Sequence, residues 1–186
     1  MKISKQQAAA NRERILTIAS ELFRARGIDN VSIAEVMDAA GFTHGGFYNH
    51  FVDKGALARE ACTAAFARAL ESVQEGLAAG LEHYVKSYLS AAHRDGEGGC
   101  PMAALASDAA RHDELQPGFA DGLVSTLELL TEALRRSGVT GRAAARMRAM
   151  RLVSEMVGAL ILARAVRLSA PQLSNELLRA SRQAVQ

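Results

Sequence analysis

Cysteine is scarce in this chain: Cys62 and Cys100 are the only two among 186 residues, too few and too unpatterned for a disulfide framework. The polar start from Met1 to Gln7 carries no secretory pattern, so a reduced cytoplasm is the expected setting. Long apolar runs are missing too. The most apolar stretch, Val157 to Val166, is interrupted by Arg164 and falls short of the roughly 18 residues a membrane span requires, which excludes a membrane role. Alternating runs of β-branched residues are nearly absent, as are internal repeats and low-complexity tracts. The chain also lacks a large charge of either sign. At a formal +2, any nucleic-acid binding has to come from where the charges sit.

What the chain has instead is alanine, leucine and arginine at helical spacing from end to end, with 49% hydrophobic residues to build a core. This predicts an all-α protein of about nine helices. Ile15, Ile18, Ala19, Leu22 and Phe23 form one apolar face, closed by Gly27. Ser32 and Glu35 have capping-box spacing and open a short second helix that ends at Gly41. Thr43 is positioned to cap a third short helix through Tyr48, and Asp53 to cap a long fourth one. Gly76 and Gly80 bracket an expected break, followed by a fifth helix through Leu81, Tyr84, Val85, Tyr88, Leu89 and Ala92. Pro101 suits the first turn of a sixth. A seventh runs near Phe119 to Arg136, Thr140 is the expected cap of an eighth reaching Arg167, and Pro171 opens a ninth.

Two short helices joined by a tight glycine turn, the second compact and polar outside, match the geometry that lets a helix enter a DNA major groove. Residues 32–57, SIAEVMDAAGFTHGGFYNHFVDKGAL, carry that pattern and resemble the DNA-binding signature of the tetracycline-repressor (TetR-like) family. The likeness rests on the AAGF turn, the spaced Thr43–Phe51 run, the Asp53-Lys54 pair and Leu57 taken together. It implies an N-terminal helix-turn-helix domain over 1–54, followed over 55–186 by a larger helical domain for effector binding and dimerisation. No cofactor is expected. A repressor released from its operator by a small-molecule effector is the implied function.

Each residue type in the signature has a physical reason. Phe47 and Phe51 anchor the third helix while its other face is offered to double-stranded operator DNA. Gly45 and Gly46 each cost a helix about 1 kcal/mol relative to alanine, which suggests close approach to another surface. The Tyr48 hydroxyl and Lys54, near a helix N-terminus, suit phosphates. Thr43, His44 and His50 are polar side chains suited to base edges or flanking phosphates. Ser32 completes the expected DNA-binding set.

Beyond Leu57 the resemblance is looser, but helix order still follows the family plan, in which the last two long helices pair with their mates in a homodimer. Met147, Met150, Ser154, Val157, Gly158, Ile161 and Leu177 are the expected interface, with Gly158, Ala159 and Ala163 small enough to allow close approach. Two-fold symmetry predicts an inverted-repeat operator with half-sites about 34 to 36 Å apart. An effector is expected between the fifth and eighth helices, near Tyr84, Tyr88, Cys100, Met102, Phe119 and Leu123, its entry shifting the fourth helix.

Cys100, just before Pro101 at a helix start, feels the positive end of the helix dipole, which favours a thiolate, so an electrophile- or redox-responsive regulator is an alternative. A helical regulator acting through protein partners is another. Catalysis is not expected. His83, His93, Cys100 and His112 have no zinc-ligand spacing, so no metal site is assigned, and no activated-serine or phosphate-loop motif occurs.

Overall fold

The computed structural model describes residues 4–96 and 99–184, which form nine α-helices and two 3-10 helices, with no strand among the described residues. The all-α expectation holds. Helix α1 (Lys5–Arg26) begins where the Ser4 hydroxyl accepts from the Gln7 amide and stops at Gly27, whose φ of 79° is readily open only to glycine. Its buried stripe is Ile15, Leu16, Ala19, Ser20 and Phe23. Helix α2 (Ile33–Ala39) has the expected capping box: Ser32 Oγ accepts from the Glu35 amide at 3.2 Å, and Glu35 accepts from the Ser32 amide at 2.8 Å.

The third element is a 3-10 helix, His44–Asn49, rather than an α-helix. Two adjacent glycines make a weak α-helix, and the Gly46 amide bonds three residues back to the Thr43 carbonyl. Thr43 occupies the cap position with no side-chain cap bond, so its hydroxyl stays free of that task.

Helix α3 (Lys54–Ala78) is capped as expected, with Asp53 Oδ1 accepting from the Ala56 amide at 2.7 Å. At 25 residues it spans about 38 Å at 1.5 Å per residue. Gly76 lies inside this helix and breaks nothing: a Cβ there would stand 2.9 Å from the Tyr84 ring, so the glycine permits close packing. The break comes at Ala79 and Gly80. The expected fifth helix is in fact two, α4 (Leu81–Tyr88) and α5 (Ala91–Asp95), because Ser90 Oγ accepts from the His93 amide and starts a new turn.

Helix α6 (Pro101–Ala109) leads through a 3-10 turn, Asp113–Leu115, into α7 (Gln116–Arg136). Helix α8 (Arg142–Val166) is capped by Gly141 at φ 84°, not by Thr140. At that backbone conformation a threonine would be strained, so the cap falls one residue later. Helix α9 (Pro171–Ala184) closes the described chain.

Helix α3 packs against α1 on the module side and against α7 in the body, and α7, α8 and α9 follow in succession, each against the next. Ala145, Ala149, Ala159 and Ala163 of α8 are buried within the chain. The Ala163 carbonyl accepts from Ser174 Oγ of α9 at 2.7 Å. Ala159 and Ala163 therefore serve packing inside the subunit rather than approach to a partner. No described helix is long and apolar enough to cross a membrane.

Candidate nucleic-acid interface and ligand cavity

The 3-10 turn His44–Asn49 is held from beneath. Phe47 is fully buried and Phe51 nearly so, their rings stacked at 5.7 Å, with Arg12 over the Phe51 ring at 4.6 Å. Replacing such a phenylalanine by alanine costs about 3–5 kcal/mol, a large part of the roughly 5–15 kcal/mol that holds a domain folded. These rings therefore fix the turn and leave its opposite side free. On that side Thr43, His44, Gly45 and Tyr48 are exposed, Tyr48 to 62%, and the His44 and Tyr48 rings meet edge to face. His50 and Lys54 are half-buried at its border.

The two glycines differ. A Cβ on Gly45 would meet nothing within 4 Å, whereas one on Gly46 would touch Thr43 and Met37 at ordinary contact distance. Gly45 alone leaves the outer surface bare. Ser32 is exposed, but its amide and hydroxyl both donate to Glu35 at 2.8 Å. These bonds, with Arg26 at 2.8 Å, hold the Glu35 carboxyl down at about 2. Its carboxylate thus occupies the anion-seeking N-terminus of α2. Arg14, which sequence reasoning missed, is exposed beside the α2 turn, its guanidinium 5.9 Å from the Phe42 ring. Its only signal was its position next to Ile15 on the polar side of α1.

Behind the module lies a cavity of about 270 Å³ walled by α1, α3, α4, His93 of α5, the start of α6, and Thr126 of α7. Tyr84, Tyr88, Cys100 and Met102 line it, as the sequence suggested; Phe119 and Leu123 do not. Phe66 takes that wall, and Phe119 packs edge-on against Phe66 at 5.3 Å. The eighth helix does not wall it either: Arg164 of α8 instead reaches the carbonyls of His93 and Arg94. The lining residues missed in sequence include Arg24, Arg68 and His93, contributed by helices whose apolar faces alone gave no sign of a cavity.

Burial pushes the Tyr84 and Tyr88 phenols up, reinforced by nearby Cys100, and pushes His93 down, reinforced by the Arg164 charge. All three are uncharged near neutrality. Cys100 is buried at the N-cap of α6. Cys62 lies apart from the cavity lining, its thiol pushed up to about 11 by burial.

Helix α6 joins cavity to module. From Cys100 it runs to buried Asp108, whose Oδ1 accepts from the Ile28 amide at 3.4 Å in the loop between α1 and α2. In the same place Asp29 Oδ1 lies 3.0 Å from His112 Nε2. Asp29, Asp108 and His112 bring one potential metal-binding atom each within 4.8 Å of the others, but Arg111 reaches both carboxylates, at 3.0 and 3.9 Å, and supplies the balancing charge.

On the far side, Met147, Met150 and Ile161 are exposed to 56%, 44% and 40%, with Ser154 also exposed and Val157, Gly158 and Leu177 half-buried. Sequence reasoning did not include Leu162 and Leu173, which are exposed nearby on α8 and α9. Arg142 and Arg146 pair with Glu128 of α7.

Comparison with known proteins gives a consistent result. Residues 15–61 match the family model for bacterial regulatory proteins of the tetR family, and residues 78–176 match that for the transcriptional regulator LmrA/YxaF-like C-terminal domain. The HTH-type transcriptional regulator AcrR of Shigella flexneri is 42% identical over 57 residues, 31% of this chain and 26% of AcrR. The HTH-type transcriptional repressor BepR of Brucella suis is 41% identical over 54 residues, 29% of this chain and 26% of BepR. These matches span about a quarter of the relatives' length. The fold is shared with the reduced form of E. coli NemR, at TM-score 0.80 and 19% identity over 95% of each chain. It is shared also with a TetR-family regulator from Cytophaga hutchinsonii, at TM-score 0.79 and 19% identity over 100% of this chain and 96% of that one.

Proposed function

We propose, from the premise that the chain belongs to the TetR family of bacterial transcriptional regulators, that it is a homodimeric repressor of an inverted-repeat operator, released by a small molecule bound in the cavity. The observation that carries this reading is the recognition turn, whose outer side is free because its inner side is fixed by Phe47 and Phe51. Thr43 and His44 read base edges, Gly45 lets the backbone approach, and Tyr48, Lys54 and Arg14 hold phosphates. His50 borders the contact. Ser32 acts chiefly as the cap that sets α2.

Dimerisation is supported by the apolar row of Met147, Met150, Val157, Gly158 and Ile161 on α8, with Leu177 of α9 beside it. Two routes connect effector to DNA. Helix α3 starts at Lys54 and lines the cavity from Ala65 to Gly76, and α6 links Cys100 to the Ile28 loop through Asp108. A ligand that moves either helix changes the separation of the two recognition turns.

Selection from a random duplex pool with purified protein tests the reading. Enrichment of an inverted repeat, abolished in a Tyr48→Phe/Lys54→Ala double variant, is expected; a single unrepeated half-site would contradict the dimer.

The position of Cys100 on the cavity wall favours a second reading, release by electrophiles or oxidants acting at that thiol. Under it, oxidant weakens operator binding by wild type and not by Cys100→Ser; an identical response in both excludes it.

A further inference from the structure

The reading of the cavity as the effector site leaves the effector's chemistry open, and the cavity lining narrows it. Arg24 and Arg68 both line the space. Among the described residues neither has a carboxylate within ion-pair distance. Arg24 donates to the carbonyls of Ser20 at 2.9 Å and Gly99 at 3.1 Å, and Arg68 donates to Thr17 Oγ1 at 3.0 Å. A guanidinium has five N–H donors, so most of theirs remain unused on these partners. Arg164 adds a third cation behind Gly99, held by carbonyls rather than by an acid.

Half-buried like charges repel, and a site of this kind is relieved by an anion that accepts from both. The effect is visible in Arg24, whose pKa is lowered by burial and then by Arg68, only partly offset by Glu21.

The rest of the lining is apolar and aromatic. Phe66, Val73, Tyr84 and Met102 offer rings and aliphatic surface, which reward a flat apolar body rather than a bare ion. Two polar atoms in this wall are buried with no hydrogen-bond partner, the Tyr88 hydroxyl and His93 Nε2. Groups of this kind need a ligand or a water to satisfy them. Their rings lie 4.7 Å apart.

We infer that the effector is an anionic aromatic or amphipathic small molecule, its carboxylate or equivalent oxyanion taken by Arg24 and Arg68 and its apolar body seated among Phe66, Val73 and Met102. This inference rests on the effector reading of the cavity. A simple oxyanion lacks the apolar contacts, and a neutral ligand leaves the guanidinium pair uncompensated.

The test uses the full chain and three probes: 2-naphthoate, its neutral counterpart 2-naphthamide, and inorganic phosphate. Affinity is read by calorimetry, and operator release by fluorescence anisotropy on the selected duplex. Naphthoate is expected to bind at least tenfold more tightly than either other probe, and to bind Arg68→Gln at least tenfold more weakly than wild type, since charge-assisted hydrogen bonds are the strong ones. The comparison of acid with amide on unaltered protein needs no variant to fold. Equal binding of acid and amide, binding unchanged in Arg68→Gln, or no binding of naphthoate overturns the anionic assignment. Naphthoate binding through Arg68 without operator release supports the anion site and overturns the effector reading. Release by the amide alone does the reverse.

Discussion

Gly122 of α7 lies flat against Phe66 of α3: a Cβ built on the glycine would stand 2.2 Å from the Phe66 ring carbons. Phe66 is buried and lines the cavity, so this contact sets the spacing of the two helices and the shape of the space between them. In the middle of a helix glycine costs about 1 kcal/mol relative to alanine, yet overpacking here costs more, about 1–3 kcal/mol. Gly122→Ala is therefore expected to lower the melting temperature by a few degrees despite the gain in helix propensity. Gly45→Ala, with open space around it, is expected to melt as wild type does. Thermal unfolding of the two variants checks the contrast.

The DNA face separates the requirements of folding from those of binding. Gly45→Ala meets no neighbour in the free protein, so it should melt as wild type does while binding operator at least tenfold more weakly. Lys54→Ala should weaken binding to all duplexes alike and make the slope of log affinity against log salt shallower by about 2, one neutralised phosphate for each subunit of the dimer. A salt titration by anisotropy measures both terms.

The α2 cap contributes a pH-dependent element. The folded Glu35 carboxyl sits at about 2 against an ordinary 4.5, chiefly through its bonds from Ser32. A carboxyl lowered on folding stabilises the native state fully above its unfolded value and loses that contribution as pH falls toward its folded value. Wild type should therefore exceed Glu35→Gln in stability at pH 6. That advantage should shrink between pH 4.5 and about 2, as followed by denaturant titrations at each pH.

The apolar row on α8 is tested by charge. Ile161→Glu places an unpaired carboxylate in the face assigned to the partner, and dimerisation should weaken at least tenfold. Exposed in the isolated chain, the substitution should leave helicity unchanged. Sedimentation equilibrium and circular dichroism separate the two effects.

Much of this was legible in the sequence because local signals agreed with the fold. The Ser32–Glu35 box, the Asp53 cap, the Gly27 stop and the Phe47/Phe51 anchors all read directly from spacing. Some of the readings that failed did so where tertiary contact decides, others where a local cap was passed over. Gly76 looks like a helix break until Tyr84 is packed on it. The fifth helix looks continuous because Leu89 and Ala92 keep the apolar period, while a single serine cap divides it. The cavity arginines were invisible because Arg24 and Arg68, on different helices, meet only after α1 and α3 pack. Phe119 was misplaced because periodicity gives a core-facing side without saying which void it faces.

Whether two copies of the recognition turn hold one symmetric operator is decided by hydroxyl-radical footprinting of the selected duplex. Two protected segments centred about one helical turn apart are expected, both absent with the Tyr48→Phe/Lys54→Ala variant. A single protected segment would contradict the symmetric dimer, and none from protein shown to be folded and dimeric would overturn the reading and point to a regulator that acts through protein partners.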